Sequence, residues 1–535
     1  MGRAGLFATS LSVVATFAVA ILGPSVMEPA LPGRRGQPPW AFPTHLPPAL
    51  AVTLAAAALA AGTLGLGLCL RAAHRGWLVS PRAILCAGII AAAAMAVVPP
   101  FGSSDHLSYA AYGRMVVTGH NPYTTTPAVL ARLGDPVARA VQDWRTSPSV
   151  YGSLATGGQA LASLVGGTSV RLTVFVLSLL NVSAFAATGL LLHRLTRGSR
   201  PRQFRAALLW TFNPLLLPVL VAGEHVDSQA IFFGVAAIAV FSLGMPDDSS
   251  QASAARIFLL AVAAGGLAGL GTAVKLTMAL VAAGLAVAAA AGWWRRWRWL
   301  AVAGSGLATG FAVIVAASLA PWGFTTLRPA LRAGSYVSIG SPWRLVRDGL
   351  QHMAGLAEGT ADDLVRVGAI ALAAALLVLL LRVLSGLVIR DGGVSAGATW
   401  ATRGAAAEGT GADLAGMTAC CVFAFVFAWL VAWPYVLPWY DGLGWAALAL
   451  LPISAAPALD WLLLARTAAL AFGYLPARTA GITMPADMGW LQSVVRTGVT
   501  PVILLAVTVG LVWFQRTSIG PGRDRVPAGR RPLAS

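Results

Sequence analysis

The chain has 535 residues, 57% of them hydrophobic and 10% charged, with a mean hydropathy of +0.74. That balance excludes a water-soluble globular domain and a disordered chain, and makes the protein an integral membrane protein. The formal charge of +18 does not argue for nucleic acid, because the basic residues are scattered in short loops between apolar runs.

Apolar runs place spans at roughly 5–27, 48–70, 83–99, 169–192, 206–222, 229–244, 257–273, 276–293, 299–320, 366–388, 413–433, 442–456, 460–475 and 498–515. In lipid each backbone group has to be satisfied within its own segment. The predicted fold class is therefore all-α, a polytopic transmembrane helix bundle of about 13–14 spans. One membrane domain, 1–535, is expected, with no stretch left for a soluble one. The first run, about Leu6 to Val26, follows Arg3 as a signal peptide would, but the many later spans favour a first transmembrane helix. Cys69, Cys86, Cys420 and Cys421 all sit inside apolar runs and imply neither a disulfide framework nor a zinc site.

Short basic loops belong on the cytoplasmic side. By that rule Arg71–Arg82, His193–Arg205 and Trp293–Trp299 face the cytoplasm. So does the tail 516–535, with Arg516, Arg523, Arg525, Arg530 and Arg531. These assignments agree with one another only if residues 442–475 are split into two short spans.

The longest polar excursion, 99–168, then faces outward. It opens with Ser103-Ser104-Asp105-His106-Leu107-Ser108-Tyr109-Ala110-Ala111-Tyr112-Gly113-Arg114 and closes with Gly119-His120-Asn121-Pro122-Tyr123. Read as a helix, Asp105, Tyr109 and Tyr112 stand at i, i+4 and i+7 and share a face. Gly119 followed by Asn-Pro is a stop. A carboxylate framed by aromatics suits a site that binds a sugar ring and activates a hydroxyl. The plainer alternative is that Ser103 or Ser104 caps the helix and Asp105 complements its dipole. Thr126-Pro127 and Asp135-Pro136 each look like a cap followed by proline at the first helical position. After the second, Val137, Val141 and Trp144 share a face, which predicts a helix lying on the membrane surface.

Three further outward segments carry polar groups. Gly223-Glu224-His225-Val226-Asp227 is a short turn with three titratable side chains, a substrate-binding candidate or a solvated loop capped by Asp227. The segment 321–363 carries Arg328, Arg332, Arg344 and Arg347. Like Arg114, they run against the usual cytoplasmic bias of basic residues. Lys275, the only lysine, marks a break between two apolar runs near the same side. Guanidinium and ammonium groups there suit either an anionic lipid carrier or ordinary phospholipid headgroups. The fourth outward corner is Trp433-Pro434-Tyr435-Val436-Leu437-Pro438-Trp439-Tyr440-Asp441.

Asp105 after an early span, the Tyr-x-x-x-Gly-x-x-Pro-Tyr-like punctuation of its loop, Trp210-x-x-Asn213-Pro214 leading into Gly223-x-His225-x-Asp227, Lys275 between spans, and Pro438-Trp439-Tyr440 together carry a resemblance. From Asp105 to Asp441 the chain resembles glycosyltransferases of the C-type superfold. Within them it resembles the actinobacterial polyprenol-phosphate-mannose-dependent alpha-1,6-mannosyltransferases. Two motifs depart from that pattern. Ser104 stands where an acidic residue is common, and Gly223-Glu224-His225-Val226-Asp227 replaces Gly-Gly-His-Asn-Asp.

The resemblance implies a multi-pass enzyme of the plasma membrane with its active site on the extracytoplasmic side. It implies transfer of mannose from a polyprenyl-phosphate-linked donor to a glycan or glycolipid acceptor, with inversion and an alpha-1,6 linkage. Asp105 would be the catalytic base. Tyr109, Tyr112, Arg114, Asn121, Tyr123, Glu224, His225, Asp227, Lys275, Arg344 and Arg347 would bind substrate, the last three of them with charge for the phosphate. Neither a cofactor nor a metal is implied, and the partners are the donor, the acceptor and membrane lipids. A related transferase using arabinofuranose or glucose fits the same residues. The rival class is a transporter or lipid flippase. Transporters place ionisable groups near the bilayer midplane within internal repeats. Here the acids stand at span ends and no repeat relates the halves.

Overall fold

A computed structural model describes residues 1–44, 46–244, 253–293, 296–391, 411–451, 456–476 and 488–519. These residues form helices and connecting turns, with a single isolated β-bridge between Ser25 and Glu28. The chain is a multi-pass membrane protein: among the described residues eight helices are long and apolar enough to cross a bilayer, and three shorter apolar helices accompany them. Most of the basic tail, 520–535, and Arg295 lie outside the described residues.

In chain order, α1 (Gly2–Ile21), α2 (Pro48–His74) and α3 (Pro81–Ala96) precede the long connection. That connection holds α4 (Asp105–Val117), α5 (Pro127–Arg132), α6 (Pro136–Arg139) and α7 (Ser153–Gly166). Then come α8 (Val170–Leu195), α9 (Arg200–Leu209), α10 (Asp227–Gly244), α11 (Ala254–Val274), α12 (Ala279–Trp293) and α13 (Trp297–Leu319). A second long connection carries α14 (Leu327–Ala333) and α15 (Pro342–His352), followed by α16 (Glu358–Asp391). The last part is α17 (Gly411–Ala432), α18 (Asp441–Ala449), α19 (Ala456–Gly473) and α20 (Thr500–Ile519).

Helix starts follow their capping residues. Ser80, Ser169 and Ser199 accept from Ala83, Leu172 and Arg202 backbone N–H groups at the starts of α3, α8 and α9. Asp135 does the same for α6, taking Val137 and Ala138 N–H on one oxygen, with Pro136 at the first helical position. The expected membrane-surface helix after it differs. It is only four residues long, and Val137 and Val141 are buried against Leu107, Ala110 and Val174. Apolar burial against α4 and α8 wins over lipid exposure.

The segment expected as one span at 206–222 is interrupted. α9 stops at Leu209, because Pro214 has no N–H and Asn213 bends the chain, its side-chain oxygen accepting from Leu215 and Leu216 N–H. The chain then resumes as a π-helical turn, Leu217–Ala222. Trp210 is clamped over the break, donating to Phe185 O at 2.9 Å and stacking on the Phe185 ring.

Close helix contacts depend on missing Cβ atoms. A Cβ on Gly310 of α13 would stand 2.0 Å from Val262 O of α11, and one on Gly113 of α4 would stand 2.1 Å from Gln159 O of α7. Small residues at such crossings let backbones touch in lipid, where dispersion contacts replace a hydrophobic drive.

α18, expected as a span from 442 to 456, is a nine-residue buried strut. At one end Arg466 and Thr467 of α19 hold Asp441, and Trp445 donates to Thr467 Oγ1 at 2.9 Å. At the other, Arg205 and Arg202 donate to Leu448 O and Leu450 O, placing cations at the negative end of the helix dipole. Asp460 completes this brace by pairing with Arg205 at 2.5 Å and His74 at 2.9 Å. A short helix is held here because buried ion pairs replace the missing length.

Candidate active site

α4 begins in the first long connection with Asp105 in its first turn. Ser103 Oγ accepts the Asp105 backbone N–H, whereas Ser104 hydrogen-bonds the Asp143 carboxylate. Neither serine makes a side-chain bond deeper in the helix, so the plain capping alternative accounts for little of this cluster. The helix ends at Val117, and Gly119 just beyond it adopts φ +77°, a left-handed conformation that suits glycine.

The shared face read from the sequence opens onto a cavity of about 590 Å³. Asp105, Ser108, Tyr109 and Tyr112 line it from α4, and Trp144 and Tyr151 from the connection that follows. Tyr435, Trp439 and Tyr440 line it as well, as do Arg328 and Arg332 of α14. A strap holds α14 there. Trp322 meets the Tyr123 ring edge-on at 5.3 Å, and Ser338 Oγ donates to Val436 O while accepting Val436 N–H.

Asp105 keeps 9% of its surface accessible at this cavity. Burial pushes its carboxyl up to about 7 and the nearby Asp143 charge pushes the same way; Trp144 and Lys275 oppose them. A carboxylate so placed changes protonation near neutrality, as a general base requires. The His225 imidazole lies 3.6 Å from Asp105 and 3.5 Å from the Tyr109 hydroxyl, which is 3.2 Å from that of Tyr151. Burial first, then the Lys275 and His106 charges, hold His225 well below its ordinary range and keep it neutral. Its ring lies flat on Trp439, centroids 3.6 Å apart.

Deeper still, Lys275 pairs with Asp227 at 2.6 Å and rests on the Tyr440 ring, 4.0 Å from its centroid. Lys275 sits where α11 ends in an extended residue before the next helical turn. Among the described residues no three His, Cys, Asp or Glu side chains form a metal cage.

Six of the twelve sequence-derived site residues thus gather in one place: Asp105, Tyr109, Tyr112, His225, Asp227 and Lys275. Tyr123 joins them on the cavity wall, its hydroxyl 2.9 Å from Thr156 Oγ1. Five do not. Arg114 is tied up with Asp135 at 2.7 Å. Asn121 turns back to accept Tyr123 N–H. Glu224, at φ +55°, points to Ser178 of α8 at 2.7 Å rather than into the cavity. Arg344 and Arg347 lie on α15 and are neutralised, the first by Asp348 and the second by Asp348 and Asp362. In their place the cavity presents Arg328 and Arg332, four residues apart and with no carboxylate partner among the described residues.

Sequence reading missed Asp143, Tyr151, Tyr435 and Tyr474 as site residues. Asp143 and Tyr151 lay in the outward loop already singled out, where an acid beside Trp144 was a usable signal. Tyr474 follows α19 directly and has no local motif.

Residues 2–320 match the family described as alpha-(1->6)-mannopyranosyltransferase, N-terminal domain. Alpha-(1->6)-mannopyranosyltransferase A of Corynebacterium glutamicum is 29% identical over 136 residues, covering 25% of this chain and 26% of that protein. An alpha-(1->6)-mannopyranosyltransferase of Mycobacterium tuberculosis is 32% identical over 147 residues, covering 26% and 23%. The match thus spans about a quarter of the length of these relatives. Among solved structures, the apo oligosaccharyltransferase of Archaeoglobus fulgidus aligns with a TM-score of 0.40 at 15% identity, covering 79% of this chain and 56% of that one. ArnT from Cupriavidus metallidurans bound to undecaprenyl phosphate gives 0.32 at 12% identity, covering 77% and 73%. Scores of that size do not establish a common fold.

Proposed function

Because the chain belongs to the alpha-(1->6)-mannopyranosyltransferase family, we propose that it transfers mannose from a polyprenyl-phosphate carrier to a glycan or glycolipid hydroxyl. The observation that carries this reading is Asp105 at the wall of an aromatic cavity whose mouth holds two unneutralised arginines. Its volume of about 590 Å³ falls within the range of small-ligand sites, and its aromatic walls suit sugar rings. The whole chain acts as one membrane domain, with 99–168 supplying the base and 321–363 the strap, and the cavity faces the extracytoplasmic side of the plasma membrane.

In this mechanism the acceptor hydroxyl loses its proton to Asp105 as its oxygen bonds to the anomeric carbon. The bond from that carbon to the phosphate oxygen breaks, and the electron pair leaves with the polyprenyl phosphate. One displacement inverts the anomeric centre through an oxocarbenium-like state. Arg328 and Arg332 receive the growing phosphate charge. Neutral His225, braced by Trp439, orients the Asp105 carboxylate, and the Asp227–Lys275 pair fixes the deep wall.

The test uses purified protein in nanodiscs with polyprenyl-phosphate mannose and an acceptor glycolipid. The expected product carries a new alpha-linked mannose, and Asp105→Asn forms almost none. Full transfer by Asp105→Asn would remove the base from the scheme. Movement of the lipid-linked sugar across the bilayer without glycoside formation would replace the enzyme with a flippase.

A further inference from the structure

Arg496 lies far along the chain from Asp105, beyond the stretch matched by the family, in a π-helical segment, Leu491–Val499, that leads into α20. π-turns widen a helix and recur at functional sites. This one is docked on the end of α19: Thr500 donates to Ala469 O at 3.3 Å and to Val495 O at 3.0 Å, and a Cβ on Gly473 would stand 2.3 Å from Thr500 Oγ1.

Among the described residues the Arg496 side chain makes one hydrogen bond and one ring contact, and they fall on consecutive residues. Its Nε donates to Gly473 O at 2.6 Å, and its guanidinium lies 5.1 Å from the Tyr474 ring centroid. One terminal nitrogen is buried without a hydrogen-bond partner among the described residues. A half-buried cation with an unused donor is a costly way to join two membrane helices, since apolar packing would do so without the desolvation penalty.

What lies beyond Tyr474 gives the arrangement a purpose. Tyr474 lines the Asp105 cavity and meets Trp439 edge-on, centroids 5.1 Å apart and planes at 87°. Trp439 lies flat on His225, which stands 3.6 Å from Asp105. Three rings in series therefore connect the guanidinium to the base. Displacing the first lets the other two tilt, and the imidazole stands 3.6 Å from the carboxylate.

We infer that Arg496 is a positioning residue, holding the Tyr474–Trp439–His225 stack so that His225 orients Asp105 for proton abstraction. This rests on the transferase reading above. Arg496 touches no reacting atom and binds neither substrate.

The experiment measures kcat, donor KM and the pH profile of kcat for Arg496→Gln, Arg496→Lys, Tyr474→Leu and the double variant Arg496→Gln/Tyr474→Leu. Thermal unfolding of each variant in nanodiscs is the folding control. Arg496→Gln is expected to lower kcat by about 10- to 100-fold, the scale of a small misplacement at a reacting centre. Donor KM stays within about twofold, and the acid limb of the pH profile moves. Arg496→Lys restores part of kcat, because an ammonium still faces the ring and still donates. The double variant is no slower than the slower single one, since both break the same chain of contacts.

A folded Arg496→Gln enzyme with unchanged kcat and pH profile overturns the inference, as do losses that multiply in the double variant. If Arg496→Gln does not fold, Arg496→Lys decides. A fully folded lysine variant with no recovery toward wild type relative to Tyr474→Leu also overturns it. Asp105→Asn run beside these separates the two readings: full activity there removes the base itself, whereas loss there with a normal Arg496→Gln removes only the positioning role.

Discussion

The Lys275 ammonium is held on two sides, by Asp227 Oδ1 at 2.6 Å and by the face of Tyr440 at 4.0 Å. Both charged partners are buried. Removing one leaves the other buried and uncompensated, which typically costs about 3–5 kcal/mol. Asp227→Asn and Lys275→Met alone are each expected to lower the unfolding temperature markedly. The double variant Asp227→Asn/Lys275→Met recovers most of that loss, as read by thermal unfolding in detergent. Additive destabilisation in the double variant would show that the two charges do not act as a pair.

Asp105 carries the clearest pH signature. With its carboxyl pushed up to about 7, the base form grows as pH rises, so kcat should climb about tenfold per unit below that point and level off above it. Burial is the larger cause and the Asp143 charge the second. Asp143→Asn therefore lowers the Asp105 value and moves the acid limb to lower pH. A flat kcat between pH 5.5 and 8.5, with chemistry rate-limiting, would contradict the assignment.

The two arginine pairs of the second connection separate cleanly. Arg328 and Arg332 line the cavity, while Arg344 and Arg347 already have carboxylate partners on or beside α15. Arg328→Gln and Arg332→Gln should each weaken donor use about tenfold or more, the usual size of a lost charge-assisted hydrogen bond. Arg344→Gln should stay within about twofold, since its bonds run to Asp348. Steady-state kinetics against donor concentration read both. The reverse order would return the phosphate to α15.

Two glycines make a matched comparison. Alanine at Gly113 collides with the α7 backbone and alanine at Gly310 with the α11 backbone. Each is expected to destabilise by about 1–3 kcal/mol through overpacking. Gly113→Ala also pushes α4, and Asp105 with it, away from α7. It should lose activity beyond its loss of folded protein, and Gly310→Ala should not. Equal activity per folded molecule would mean that α4 absorbs the collision without moving the base.

The site was legible wherever a local rule applied. Asp105, Tyr109 and Tyr112 fall on one face at spacings fixed by helix geometry, and the structure places that face on the cavity. His225, Asp227 and Lys275 stand at breaks between apolar runs, where ionisable groups escape lipid. The five residues not gathered there share a different cause. Arg114, Asn121, Glu224, Arg344 and Arg347 each found a nearer polar partner, in Asp135, the Tyr123 backbone, Ser178, Asp348 and Asp362. Sequence shows that a charge is present but not which neighbour has already satisfied it.

Hydropathy alone determined the helical bundle and the place of the long connection that carries Asp105, because a backbone in lipid has few other ways to satisfy its hydrogen bonds. Tertiary structure alone decided that Arg328 and Arg332 line the same cavity as Asp105, that α18 is a buried strut, and that Arg496 reaches His225 through Tyr474 and Trp439. Those relationships join residues far apart in the chain, and only packing sets the distances between them.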